Sequence, residues 1–98
     1  SHEATSGYAG IVAAYEDSSN NSSWLVGDDG SLWTFVVTNG EAYWWFMDDV
    51  AVADRYEWTL SGTTVTINGV SYEEANGFTP RGGIALYEAA VLFEDILF

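Results

Sequence analysis

The stretch "TNGEAYWWFMDDV" (38–50) runs a tyrosine, two tryptophans, a phenylalanine and a methionine together, ahead of two aspartates. A strand with one wet face needs apolar side chains only at alternate positions, because successive side chains point to opposite faces. Asn39-Gly40 has the signature of a two-residue hairpin turn, whose central residues both take positive φ. Folding the chain back there sets Thr38 opposite Glu41, Phe35 opposite Trp44 and Trp33 opposite Phe46. One face becomes Trp33, Phe35, Val37, Ala42, Trp44 and Phe46, entirely apolar, and is expected to be core. The other carries Leu32, Thr34, Val36, Thr38, Glu41, Tyr43, Trp45 and Met47. A one-sided sheet has no use for that second aromatic row. It is expected either to bind a partner or to lie beneath another element, with residues 84–98 as the first choice of cover. The candidate partner-binding residues are therefore Tyr43, Trp45, Met47, Leu32, Val36 and Glu41.

Working outward, similar turn signals recur at Asp28-Asp29-Gly30, Ser61-Gly62 and Asn68-Gly69, each between residues of strand preference. In "YEWTLSGTTVTINGVSY" (56–72), turns at Ser61-Gly62 and Asn68-Gly69 define a three-stranded meander. Trp58 then faces Val65, Tyr56 faces Ile67, Ile67 faces Val70 and Val65 faces Tyr72. Tyr56, Trp58, Leu60, Val65, Ile67, Val70 and Tyr72 share a dry face, and Glu57, Thr59, Thr64, Thr66 and Ser71 a wet one. A slip of one residue would expose the whole apolar set, which specifies the pairing. Residues 8–16 suit a strand. "GIALYEAAVLFEDILF" (83–98) is ambiguous: its Ala, Leu and Glu favour helix, while alternation of Tyr87, Ala89, Val91 and Phe93 favours a strand, above all in its second half. "DSSNNSS" (17–23) reads as a polar loop in which Asn20 and Asn21 both open an N-x-S glycosylation pattern.

These signals predict an all-β fold, a small antiparallel barrel or two-layer sandwich of hairpins. The alternative is an antiparallel sheet with a C-terminal helix packed on it. Residues 8–98 form one domain, and 1–7 are expected to be a flexible tail or an expression remnant.

The chain of 98 residues carries fifteen carboxylates against two arginines and no lysine, a net charge of −13. Such a surface repels nucleic acid and anionic membranes, which are bound through Lys and Arg, and attracts basic partners and cations. No apolar run is long enough to span a membrane. Absence of cysteine excludes disulfides, thiolate metal sites and a cysteine nucleophile.

The segments "DDGSLWTFVV" and "RYEWTLSGTTVTING" resemble the D-G-x-h-x-F and Y-x-h-x-G-x-x-h-x-h patterns of small bacterial lipocalin-like domains, where h is apolar, and "AVLFEDILF" is similar to their closing strand. The resemblance covers about half the chain. It implies a secreted or cell-surface β-barrel or half-barrel, with an apolar ligand as one possible cargo. In place of the first-strand G-x-W element of such domains stands Gly10-Ile11-Val12.

Catalysis has little to draw on. His2, the only histidine, lies in the expected tail, and lysine is absent for Schiff-base chemistry. Asp28-Asp29, Asp48-Asp49 with Asp54, and Glu73-Glu74 offer oxygen ligands, but none follows the calcium-loop pattern. No catalytic residue, metal or cofactor is assigned. The expected function is non-enzymatic binding of a protein partner, through an aromatic sheet face and an acidic surface. Two alternatives stand beside it: a lipocalin-like carrier of an apolar ligand, and an acidic nucleic-acid mimic that blocks a basic groove. Mutual repulsion among so many carboxylates is expected to raise their pKa values and so to favour the fold at mildly acidic pH.

Overall fold

The computed structural model describes residues 1–3, 6–89 and 93–94. Its ten strands are β1 (His2–Glu3), β2 (Tyr8–Asp17), β3 (Asn20–Gly27), β4 (Ser31–Thr38), β5 (Glu41–Asp49), β6 (Arg55–Tyr56), β7 (Trp58–Ser61), β8 (Thr64–Ile67), β9 (Val70–Glu73) and β10 (Pro80–Tyr87). They form three antiparallel sheets: a large one in the order β10-β2-β3-β4-β5, a meander β7-β8-β9, and a two-stranded ribbon β1-β6. The fold is all-β, with no helix among the described residues. β5 and β10 remain as edges of the large sheet, so the architecture is a sandwich of hairpins and not a closed barrel.

Turn chemistry sets the large sheet. Asn39 and Gly40 take φ of 51° and 80°, the pair of positive angles that a type I′ hairpin demands. The resulting register matches the sequence reading, with Thr38 opposite Glu41, Phe35 opposite Trp44 and Trp33 opposite Phe46. The β2–β3 turn is tighter than expected. Only Ser18 and Ser19 form it, because Asp17 Oδ1 accepts the Ser19 N–H at 2.8 Å and folds the chain locally. Asn20 to Ser23, expected in a loop, belong to β3, and Ser22 and Ser23 are buried. Gly10 on β2 is needed for close approach, since a Cβ there would lie 1.9 Å from the Trp24 carbonyl oxygen on β3.

The core lies between the large sheet and the β7–β9 meander, and it contains Ile11, Ala13, Trp24, Val26, Leu32, Tyr56, Val65 and Ile67. This overturns the expected inside and outside of the β4–β5 hairpin. Leu32 is fully buried and Thr34 and Val36 nearly so, whereas Trp33, Phe35, Val37 and Trp44 are half-buried and Phe46 is exposed. Register explains how. Val26 pairs with Leu32 and Trp24 with Thr34, so Leu32 and Thr34 share the face on which β3 places its core residues Trp24 and Val26. The second sheet packs on that face, where Leu32 meets Val65 and Ile67 in the core. The broad rings on the opposite face instead shelter one another laterally.

In the meander Trp58, Leu60, Val65, Ile67 and Tyr72 face the core as expected. Val70 is exposed, however, Tyr56 pairs with His2 in the β1–β6 ribbon, and the first turn differs. Gly62 and Thr63 form it, so Trp58 pairs with Ile67 and Leu60 with Val65. The slip is of two residues, and a period of two preserves the faces. The second turn, at Asn68-Gly69, pairs Ile67 with Val70 and Val65 with Tyr72 as expected.

Residues 80–87 settle as strand against β2, so that part of the ambiguous segment is not helix. Its second half lies mostly outside the described residues, apart from Phe93, which bridges to His2. Nor is the start of the chain a tail clear of the fold. His2 is buried, stacks on Trp58 at 6.2 Å between ring centroids, and accepts the Trp58 indole N–H at Nε2 over 2.9 Å. Sequence reasoning missed this because a short polar opening carries no period of its own.

Candidate functional site

The hairpin β4–β5 ends the large sheet, with β5 as its edge strand. Of its nine residues only Trp44 is half-buried; the others are exposed. Large apolar side chains therefore emerge on both faces of one strand. On the core side Tyr43, Trp45 and Met47 lie beyond the cover of the second layer, with exposures of 44, 59 and 42%. On the outer side Phe46 is 52% exposed and Trp44 joins a ring cluster. An exposed apolar patch of this kind is uncommon on a monomer and marks interaction surfaces.

The expected partner-binding residues thus divide. Tyr43, Trp45, Met47 and Glu41 come together on the exposed strand. Leu32 and Val36 share their face but are buried, Leu32 in the core against the meander and Val36 at the floor of a groove, so neither projects as an exposed contact. The Tyr43 and Trp45 rings lie 6.5 Å apart at 31°. The Tyr43 hydroxyl donates to the Glu41 carboxylate, and that bond, with some burial, raises the tyrosine pKa. Trp45 and Met47 help wall a groove of about 290 Å³ that also touches Thr34, Val36 and Glu73.

On the outer face the rings pack side by side. Trp44 lies 4.8 Å from Phe35, 5.0 Å from Tyr87 and 5.7 Å from Tyr8, and Trp33 meets Phe46 edge-on at 5.4 Å. Tyr8, Trp33, Trp44 and Tyr87 line a hollow of about 200 Å³. The Trp33 indole nitrogen is buried without an acceptor among the described residues. Sequence pattern places this aromatic floor in the core, whereas the structure leaves it half-open. Part of its shelter comes from Tyr8 on β2 and Tyr87 on β10, which no local pattern ties to the β4–β5 hairpin.

Acidic groups frame the surface. Asp48 and Asp49 close β5, and Asp48 Oδ2 accepts the Tyr72 hydroxyl at 2.7 Å. Burial first, then that bond and the Asp48 charge, push the Tyr72 pKa up to about 12. Glu73 accepts the hydroxyls of Thr64 and Thr63, and these bonds hold its pKa below the ordinary carboxylate value. Glu74 is buried and not free to bind a cation. Its Oε2 accepts Ser22 Oγ at 2.7 Å and Trp24 Nε1 at 2.8 Å, while Oε1 accepts both the backbone and side-chain nitrogens of Asn76. No group of three or more metal-ligating side chains gathers among the described residues. Both cations stand away from β5. Arg55 binds Glu94 at 2.5 Å and lies 3.8 Å from Glu3, and Arg81 sits over the Tyr15 ring near β10.

No family model, curated protein or solved structure matches this chain. No helix among the described residues is long and apolar enough to cross a membrane.

Proposed function

We propose that the domain is a non-enzymatic binding module that recognises a protein partner through the aromatic flank of its large sheet, within an acidic surface. One observation carries the reading: β5 exposes large apolar side chains on both faces at once, at Tyr43, Trp45 and Met47 on one and Phe46 on the other. Tyr and Trp supply rigid contact area at low entropic cost and dominate binding hot spots. The net charge of −13 adds selectivity for basic partners and a faster encounter at low salt. The sole histidine fits this reading, since its Nε2 is occupied by Trp58 in a packed ring cluster.

The test is affinity capture at low and high salt with the wild-type domain and with Trp45→Ser. Trp45→Ser is expected to weaken capture by about 2 kcal/mol, the range of an aromatic hot spot. High salt is expected to weaken it further. Capture indifferent to Trp45 would remove the aromatic flank from the reading.

A further inference from the structure

We propose that β5 takes up an extended basic segment of the partner protein as an added strand of the large sheet. The inference rests on the binding reading above and specifies how the partner is held. β5 is the outermost strand, and nothing described pairs with its far side. The two-residue turn makes Thr38 and Glu41 a hydrogen-bonded pair, and antiparallel pairing alternates from there. The backbone N–H and C=O groups of Glu41, Tyr43 and Trp45 therefore turn towards β4. Those of Ala42, Trp44 and Phe46 face out along the open edge.

Open edges are normally blunted by proline, bulges or inserted cations. The opposite edge of the same sheet has all three, since β10 begins at Pro80, shifts register between Pro80 and Gly83, and carries Arg81. β5 has no proline, lysine or arginine, and its one irregularity falls at its far end, opposite Leu32 and Trp33. Its side chains also suit an added strand. Tyr43, Trp45 and Met47 on one face and Trp44 and Phe46 on the other extend the sheet's two surfaces, against which alternate side chains of an incoming strand would rest.

Charge selects the occupant. Glu41 stands at one end of β5 and Asp48 and Asp49 at the other, and both arginines are elsewhere. A second copy of this chain is disfavoured: two-fold pairing centred on Trp45 sets Glu41 of each copy beside Asp49 of the other, between molecules of charge −13. An extended segment with lysine or arginine about seven positions apart meets both acidic ends at the rise of a strand.

The probe is a synthetic peptide of alternating threonine and valine with a lysine pair at each end, beside a counterpart with glutamate for each lysine. The lysine peptide is expected to bind, to weaken as salt rises, and to slow amide exchange at Ala42, Trp44 and Phe46 by at least about tenfold. The glutamate peptide is expected not to bind. Ala42→Pro removes an outward N–H that β4 does not use, so it is expected to weaken binding at least about tenfold while Ala42→Ser does not. Should Ala42→Pro disturb the fold, the exchange measurement on the wild-type domain decides alone. Binding without slowed exchange at those three amides overturns strand addition, as does failure of the lysine peptide to bind. Binding lost in Trp45→Ser but unaffected by Ala42→Pro overturns it too, leaving the aromatic surface standing. Binding indifferent to both variants overturns both readings. Self-association that slows the same amides replaces the basic segment with a second copy and overturns the choice of partner.

Discussion

Trp44 and Trp45 are neighbours of identical chemistry, and the structure gives them unequal parts. Trp45 is 59% exposed, so Trp45→Ser is expected to change stability by less than about 0.5 kcal/mol. Trp44→Ser loses the ring contacts to Phe35, Tyr8 and Tyr87 but opens no closed cavity, and is expected to cost about 1 kcal/mol. Leu32→Ala, in the true core, is expected to cost about 3 kcal/mol. Denaturant titration of the three variants checks this order, and a Trp44 loss equal to that of Leu32 would return the outer face to the core. Glu74 is a second residue whose importance is tertiary. Glu74→Ala would strand the Trp24 indole N–H and the Ser22 hydroxyl in the interior and is expected to destabilise by about 3 kcal/mol.

At the scale of the element, turns and registers were the most legible feature. Asn39-Gly40 and Asn68-Gly69 set their hairpins as expected, because few residue pairs accept two consecutive positive φ angles. The Ser61-Gly62 reading failed by one position, since glycine can occupy either place in a short loop. The faces survived because the resulting slip was even. Two glycines separate backbone conformation from space. A Cβ on Gly40 meets nothing within 4 Å, and only its φ of 80° opposes alanine, so Gly40→Ala is expected to cost about 1 kcal/mol. Gly10→Ala would drive a Cβ into the β3 backbone and is expected to cost at least about twice as much, with β2 and β3 forced apart. Thermal melts of the pair, beside amide exchange in β2 and β3, measure the difference.

For the whole molecule, composition suggested that repulsion among carboxylates would make mild acid stabilising. The two resolved carboxylate shifts run the other way. Asp29 is lowered by its bonds from Ser31, and Glu73 by those from Thr64 and Thr63. Each contributes stability above its ordinary pKa that is lost as pH falls through the folded value. His2 is lowered from 6.5, chiefly by burial. Its protonation would also abolish the acceptor for Trp58. The unfolded chain therefore takes up that proton first, and stability is lost as pH falls below about 6.5 towards the lower folded pKa. The melting temperature is expected to be higher at pH 8 than at pH 5, with most of that change carried by His2 and the carboxylate losses following at lower pH. A higher melting temperature at pH 5 would show that charge repulsion outweighs these local bonds.

By itself the sequence determined the strands, most of their pairings and the all-β class, because alternation and turn chemistry are local properties encoded within a few residues. Local pattern ranks the all-apolar Trp33 row of the 32–47 hairpin above the mixed Leu32 row, and it fails because cover by a second layer is not a local property. Only the tertiary structure decided that Leu32 and Val36 face the meander while the Trp33 row lies outside. The same holds for His2, whose burial depends on Tyr56 and Trp58 arriving from across the chain. It holds for Glu74, whose partners Ser22 and Trp24 lie some fifty residues away. Which strand ends the sheet, and so which aromatic residues meet solvent, depends on where the second layer stops.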